Sequence, residues 1–568
     1  TALKGAETHA FAGKHPVGNV GVQIHHIDPV NKGEVVWTVN IQDLAIIGRL
    51  FNEGRVDMTK IIAVAGSEIE KPQYCRIIAG AKVDSILKGN VKPQKEGDHV
   101  RIISGNVLTG TKTAADGFIG FYANQLTVIP EGDKFELLGW AMPRFNKFSV
   151  SRAYFSWLCP KKEYNLDTNM NGGERPFVVT GLYERYLPME IYPIDKLKPT
   201  FTKGGKLGFL ESTFDAFETF LFVPDTTTSK GAHIRDCNDM KRTMIMVVVA
   251  LMPALLFGFY NTGYMHFLSQ GVQPEFWASL WFGFLKVLPL IVVSYVVGLG
   301  IEFAFAQFRG HEVNEGFLVS GLLIPMIMPV DIPLWMVALS TAFAVVFGKE
   351  VFGGTGMNVF NPALLARAFA FFAYTPSMSG ATVWIAGMTS GEGVVDGFSG
   401  ATALENLSTT GQMGYSAMDA FLGFIPGCVG ETSTLAILIG AAILLFTGVA
   451  SWRTMVSVFV GGLAMGYLFQ ALGVTTYPAW WHLIVGGFAF GAVFMATDPV
   501  TSAQTDKGKY IVGLMTGALA VLIRVVNPAY PEGMMLSILF MNALAPLVDY
   551  YVVEANISRR KKRVKLAK

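Results

Sequence analysis

Residues Val395 to Leu407 read Val-Asp-Gly-Phe-Ser-Gly-Ala-Thr-Ala-Leu-Glu-Asn-Leu, a small, hydroxyl-rich stretch between hydrophobic blocks. Its chemistry is that of phosphate attachment. Gly397 and Gly400 let the backbone approach a bulky group, while Ser399 and Thr402 present hydroxyls where a helix is expected to start at Ala403, Leu404 and Glu405. Helix N-terminal amides favour an anion, so a phosphoester on Thr402 would be held by backbone donors as well as by its covalent bond. An ordinary N-cap threonine is the plain alternative. Spacing alone favours it, because the four-residue core is a weak pattern.

That loop must be positioned by a membrane domain. In the 568 residues, charged and short apolar segments mix up to about Arg242, whereas long apolar blocks with few charges follow from Thr243. The expected fold is a soluble, β-rich α/β domain over 1–196 and a lead-in over 197–242. An all-α polytopic membrane bundle follows over 243–568, with the loop region at 376–430. Apolar spans are expected near 243–260, 281–303, 315–330, 333–348, 358–374, 432–450, 454–473, 480–497, 510–527 and 534–553. Ten spans, or eight, keep both ends of the chain on one side.

Charge bias orients the bundle. The segment from His233 to Arg242 precedes the first span, and the run Arg559 to Lys565 closes the chain. Both point to the cytoplasmic side, and the basic tail is a membrane-orientation signal, not a nucleic-acid site. From Ala368 through Trp452 there is no lysine or arginine. The loop carrying Thr402 is therefore expected to face outward. Gly462 with Gly466, Gly487 with Gly491, and Gly513 with Gly517 allow close helix contacts.

Charges at hydrocarbon depth are costly and tend to line pathways or find partners. Glu302 follows the run from Gly298 to Ile301, Asp498 precedes Pro499, and Asp549 lies near the end of the last span. For Glu302 and Asp549 the plain alternative is an interfacial residue at a helix end. Asp498-Pro499 and Asn361-Pro362 are both places where a helix should break, and paired broken segments often build an ion or cofactor site. Glu431, just ahead of a helix, reads as a favourable dipole residue. Lys349 and Glu350 read as end or bundle-facing residues, and Arg524 as a partner for a carboxylate.

In the first domain, Glu34 to Asn40 and Lys60 to Ala65 look strand-like and Gln42 to Phe51 fits a short helix. His25 and His26, taken as strand neighbours, would point to opposite faces and bind no metal. Gly18 and Gly21 lack a strand-to-helix dinucleotide context. Cys75, Cys159, Cys237 and Cys428 are far apart and form no Cys-x-x-Cys pair, so no iron–sulfur or zinc site is expected. Leu207, Leu210, Phe214, Phe217 and Leu221 have amphipathic-helix spacing. The chain opens at Thr1 without a signal-peptide pattern, so its ends are not read as biological boundaries.

Ser399-Gly-Ala-Thr402 resembles the flavinylation motif of the B subunit of the Na+-translocating NADH:quinone oxidoreductase. Lys349 to Gly356, Asn361 to Leu364, Phe494 to Pro499 and Ile523 to Gly533 resemble that subunit in the same order, from about Pro199 onward. The segments His15 to Gly21, Arg101 to Gly105, Leu108 to Lys112, Gly139 to Pro143 and Asn146 to Val150 resemble the middle and later portion of its A subunit. In the family A and B are separate chains, so the join near Lys196 to Lys198 departs from the pattern; a natural fusion and an accidental one both fit.

The resemblance implies FMN on Thr402 through a phosphoester, with Ser399, Gly400 and Ala401 as its motif, and a non-covalent riboflavin for which Gly353 to Gly356 and Asn361 are candidates. It also implies a sodium pathway through Glu302, Asp498 and Asp549, ubiquinone near Gly298 and Glu302, and partner subunits of the C, D, E and F types, with NADH taken by the F type. The expected setting is the lipid bilayer of a bacterial inner membrane. Three rival readings stay open: a D-type subunit of the ferredoxin:NAD oxidoreductase complex, which the A-like domain argues against, a flavin-free ion transporter, and an inactive fusion.

Overall fold

The computed structural model describes residues 6–30, 33–172, 222–223, 225–229, 231–309, 316–389, 394–395, 398–527 and 532–566. The junction at Lys196 to Lys198, the amphipathic segment Leu207 to Leu221 and Gly397 lie outside the described residues. The chain divides into two compact units, the second containing everything from Met240 onward.

The first unit is built on a five-stranded sheet: β1 (Thr59–Ala65), β2 (Gln73–Ile78), β3 (Val100–Ser104), β4 (Thr111–Thr113) and β5 (Gln125–Pro130), in the order β2-β1-β5-β3-β4. β1 pairs antiparallel with β2 and parallel with β5, with Val64 opposite Leu126, and β5 pairs antiparallel with β3, with Ile102 opposite Val128. Ile62, Val64, Leu126 and Val128 form its core together with Val83, Ile86 and Leu87 of a short helix. Helix α1 (Val20–Ile27) and helix α2 (Ile41–Glu53) precede the sheet.

Two local expectations change. Residues 34–40 form no strand, and Trp37 is 90% exposed; β-branched residues without a partner strand do not make a sheet. His25 and His26 lie on α1, not on a strand, with their rings edge to face at 5.4 Å. Val20, Ile24 and Ile27 carry helical spacing as well as alternation, and the helix wins. The helix expected over Gln42 to Phe51 and the strand over Lys60 to Ala65 both form. Residues 225–239 belong to the first unit: Thr228 and His233 pack on Arg101 from β3.

Arg101 is almost wholly buried. Its Nε donates to Glu131 Oε2 at 3.0 Å and Nη1 donates to Thr228 Oγ1 at 2.8 Å, while Nη2 pairs with Glu131 Oε1. Burial pushes the Glu131 carboxyl upward, but hydrogen bonds and charge from Arg101 and Lys112 outweigh it and hold the group at about 2.

The second unit is helical: α3 (Met240–Ser269), α4 (Phe276–Arg309), α5 (Phe317–Met326), α6 (Leu334–Val345), α7 (Pro362–Ala373), α8 (Ala403–Thr410), α9 (Thr434–Thr447), α10 (Trp452–Ala471), α11 (Asp506–Val526) and α12 (Met534–Leu566). Five of them, α3, α4, α10, α11 and the Met534–Arg559 part of α12, are long and apolar enough to cross a membrane. They fall on five of the expected spans. The spans expected at 315–330, 333–348, 358–374 and 432–450 contain helices of 10, 12, 12 and 14 residues. The span at 480–497 is broken into Trp481–Ile484, Phe488–Phe490 and a π-turn at Gly491–Met495. This is a polytopic membrane bundle in which long spanning helices enclose broken ones.

Small residues bring α10 and α11 together. A Cβ on Gly517 would overlap the Val458 carbonyl, and one on Gly513 would lie 2.8 Å from Ser457 Cβ. This is the close approach that the glycine spacing predicts.

The Glu131 pairing contributes stability above the ordinary carboxylate range, and that contribution is lost as pH falls from about 4.5 through about 2. We expect an effect on the order of 2 kcal/mol, seen as growing susceptibility of the first unit to pulse proteolysis across that window. Glu131→Gln should flatten the acid-dependent part while weakening the unit at pH 7.

Candidate functional site

The hydroxyl-rich loop folds as its residue types suggest. Thr402 is the N-cap of α8, and its Oγ1 accepts from Glu405 N at 3.1 Å. Ser399 Oγ accepts from Ala401 N at 3.3 Å, and the Ala401 carbonyl accepts from Tyr415 Oη at 3.2 Å. Gly400 serves a different neighbour than expected. A Cβ there would overlap the Ala381 carbonyl and meet Met388 Sδ at 2.7 Å, so the close approach is to protein, not to a cavity.

Thr402 and α8 instead rim a partly open cavity of about 220 Å³. Phe371, Met378, Trp384, Ile425 and Val485 supply apolar and aromatic walls; Arg367, Glu431, Thr432 and Glu532 supply polar ones. At its centre, Arg367 Nη1 lies 2.7 Å from Glu431 Oε1 and Nη2 lies 2.8 Å from Glu532 Oε2. Two of these side chains come from just before a helix start and one from within a short helix. Arg367 lies on α7, whose start is fixed by Asn361: its Oδ1 accepts from Ala363 N and Leu364 N, and Pro362 occupies the first turn. Glu431 precedes α9, which Ser433 caps, and Glu532 precedes α12. Gly486 and Gly487, where the 481–495 segment bends, form another wall. A Cβ on Gly487 would lie 2.6 Å from Glu431 Oε1.

A second cavity, of about 100 Å³, is lined by Lys349, Thr355, Asn358, Asn361, Thr497 and Asp498 among others. Here the two expected helix breaks meet. Asn361 Nδ2 donates to Asp498 Oδ2 at 3.1 Å, and Asp498 also accepts from Val500 N and Thr501 Oγ1. Asn361 and Phe371 thus place the two cavities at opposite ends of α7, roughly 15 Å apart along its axis.

The other expected pathway residues are elsewhere. Glu302 is buried on α4 in an ion pair with Lys349, which a π-turn at Val346–Glu350 directs inward with Glu350. Gly298, one turn before Glu302, is covered by the Phe317 ring, which fills the space its missing side chain leaves. Asp549 accepts from Gln504 N (2.6 Å), Thr505 N (3.0 Å) and Thr505 Oγ1 (2.6 Å), closing the loop that starts α11.

Arg367, Glu532 and Cys428 were not singled out from the sequence as site residues. Arg367 carried a usable signal, because it is a lone cation within Ala363 to Phe372, and intramembrane charge is costly. Glu431 is an ion-pair partner and not only a dipole residue, and Arg524 makes no ion pair with a carboxylate among the described residues. Its Nη1 donates to the His482 carbonyl at 2.7 Å.

The sequence pattern of the NQR2, RnfD, RnfE family matches residues 227–558. The chain belongs to that family. It is 48% identical over 400 residues to the B subunit of the Na(+)-translocating NADH-quinone reductase of Chromohalobacter salexigens, covering 65% of this chain and 95% of that protein. It is 46% identical to the corresponding B subunits of Stutzerimonas stutzeri and Azotobacter vinelandii, covering 65% of this chain and 97% of each of those proteins. Residues 1–56 match the NqrA second alpha/beta domain and residues 61–115 the NQRA C-terminal domain. A-type and B-type sequences are therefore joined in one chain.

The lining of the first cavity is of the kind a planar heteroaromatic ring would need. The first combines aromatic walls with convergent polar groups, and Thr432 Oγ1 on its wall is buried without a hydrogen-bond partner among the described residues. Thr355 Oγ1 is likewise unpartnered in the second.

Removing Arg367 leaves two buried carboxylates facing each other. Arg367→Met should cost on the order of 3–5 kcal/mol and lower thermal stability in detergent, and adding Glu431→Gln and Glu532→Gln should recover much of the loss. An unaltered unfolding temperature in the single variant would contradict the pairing.

Proposed function

We propose that this chain is the flavin-carrying, sodium-coupled membrane subunit of a redox-driven pump of the Na+-translocating NADH:quinone oxidoreductase type. The observation that carries the reading is the position of Thr402: it caps a helix and rims a partly open cavity whose aromatic and polar walls suit a planar ring. FMN esterified to Thr402 Oγ1 would keep its phosphate beside the α8 amides and its ring in the cavity. When bound, it supplies reversible electron transfer. Arg367 with its two carboxylates would face a polar edge of the ring, and Phe371 and Trp384 would give it apolar surface. For riboflavin the candidate is the second cavity, where Asn358, Thr355 and Asn361 offer hydrogen-bonding groups and which would have to widen from about 100 Å³ to take the ring. Helix α7 then links the two.

Electrons would enter from partner subunits of the C, D, E and F types and leave to ubiquinone. The A-type matches over residues 1–56 and 61–115 favour this complex over a D-type subunit of the ferredoxin:NAD oxidoreductase. Charge bias supports a reading in which the first unit and the basic end of α12 lie on the cytoplasmic side of a bacterial inner membrane and the Thr402 loop faces outward. For sodium, a hard cation that takes oxygen ligands, Asp498 on a cavity wall and buried Glu302 are the pathway carboxylates. Asp549 is read as structural, because it lines neither cavity and ties down the loop that starts α11.

Two experiments follow. Protein made with a flavin transferase and a flavin source should give an ultraviolet-fluorescent band after denaturing electrophoresis, absent in Thr402→Val; no band in the parent chain would sink the reading. In the reconstituted complex, Glu302→Gln and Asp498→Asn should lower sodium-stimulated turnover tenfold or more. Unchanged sodium dependence in both would remove them from the pathway.

A further inference from the structure

Next to the Gly486 wall of the Thr402 cavity lies a cluster of buried polar atoms within electrostatic reach of Glu431 and Glu532 but in no ion pair with them among the described residues. Arg524 on α11 is 4% exposed; its Nη1 is bonded to the His482 carbonyl, but Nε and Nη2 have no hydrogen-bond partner among the described residues. His482 is 1% exposed, and neither its ring nitrogens nor Trp481 Nε1 has a hydrogen-bond partner among the described residues. The cluster is rigidly framed. Tyr477 stacks on Trp481 at 6.1 Å and meets His482 edge to face at 5.2 Å, and the guanidinium lies 6.0 Å from the Phe488 ring centre.

Gly486 connects this cluster to the cavity. It lines the cavity with φ +66, and a Cβ there would lie 3.4 Å from Arg524 Nη2 and 3.1 Å from Leu404 Cδ2 of α8. Only the backbone of a residue without a side chain separates the guanidinium from the cavity space. Arg367, Glu431 and Glu532 together carry a formal charge of −1, which by itself repels an anion; Arg524, which faces the same two glutamates, brings the group to zero. A buried guanidinium with open donors is expensive to retain unless something electron-rich approaches it.

We propose that Arg524, with His482 beside it, is a positioning residue that tunes the cavity toward an electron-rich, negatively charged edge of a heteroaromatic ring. The inference rests on the reading that the Thr402 cavity holds a covalent flavin. An electron arriving from the NADH side of the complex adds one negative charge to the ring without making or breaking a bond. The Arg524 guanidinium offsets that charge across Gly486, so the reduced ring is favoured more than the oxidised one.

The test is a redox titration of the covalently held flavin in the assembled complex, with the fluorescent band as a loading control. Arg524→Gln should lower the reduced-to-oxidised ratio at a fixed potential at least tenfold, which for one electron is about 59 mV. Arg524→Lys should fall between, and Gly486→Ala, which interposes a methyl group, should move the potential in the same direction. A band of parental intensity with ratios within twofold of the parent in Arg524→Gln, or in the other two variants if that one does not assemble, would overturn the role of Arg524. Loss of the band in the parent chain would instead overturn the flavin reading beneath it.

Discussion

A guanidinium inside a membrane protein is tolerable only when its charge and its fork of donors are met. Arg367 is met twice, by Glu431 and by Glu532, which lie 64 and 165 residues further along the chain. Three separate segments must therefore converge for the charge to be buried. Breaking one pair would leave an uncompensated ion in low dielectric, a far larger cost than the pair's own net gain. The convergence also leaves a space that no side chain fills, and the loop bearing Thr402 closes it.

Broken helices recur because continuous ones cannot present such groups. A spanning helix satisfies its own backbone and shows side chains to a neighbour, as Gly517 does against Val458. Where the backbone stops, as at Asn361 or after Met495, polar side chains must complete its hydrogen bonds, and they bring functional atoms with them. Asn361 does both: its oxygen caps α7 while its nitrogen holds Asp498. The same helix carries Arg367, about 9 Å further along its axis, to the wall of the other cavity. One short helix thereby couples the carboxylate assigned to the ion path with the cavity assigned to the electron path.

What was legible in the sequence follows from the range of the forces. Thr402 as a helix cap, the breaks at Asn361 and Asp498 and the glycine contact between α10 and α11 are local or nearly so, set by turn chemistry and side-chain size. The role of Arg367 was not legible, because its partners are set by tertiary convergence, and Glu431 looked like a dipole residue when seen with its own helix alone. Gly400 shows a subtler limit. Its small size was read as room for a cofactor, whereas the room is taken by the Ala381 carbonyl. Residues 34–40 had strand-forming types without a partner, and type alone does not make a sheet.

The central claim is that the cavity bounded by Thr402, Arg367, Trp384 and Gly486 seats the covalent flavin. A density map of the flavin-loaded complex tests it most directly. The account predicts a planar ring between Trp384 and the Gly486–Gly487 wall, continuous through phosphate with Thr402 Oγ1. A ring attached at Thr402 but lying outside this cavity, with Arg367, Glu431 and Glu532 closed upon themselves, would contradict it.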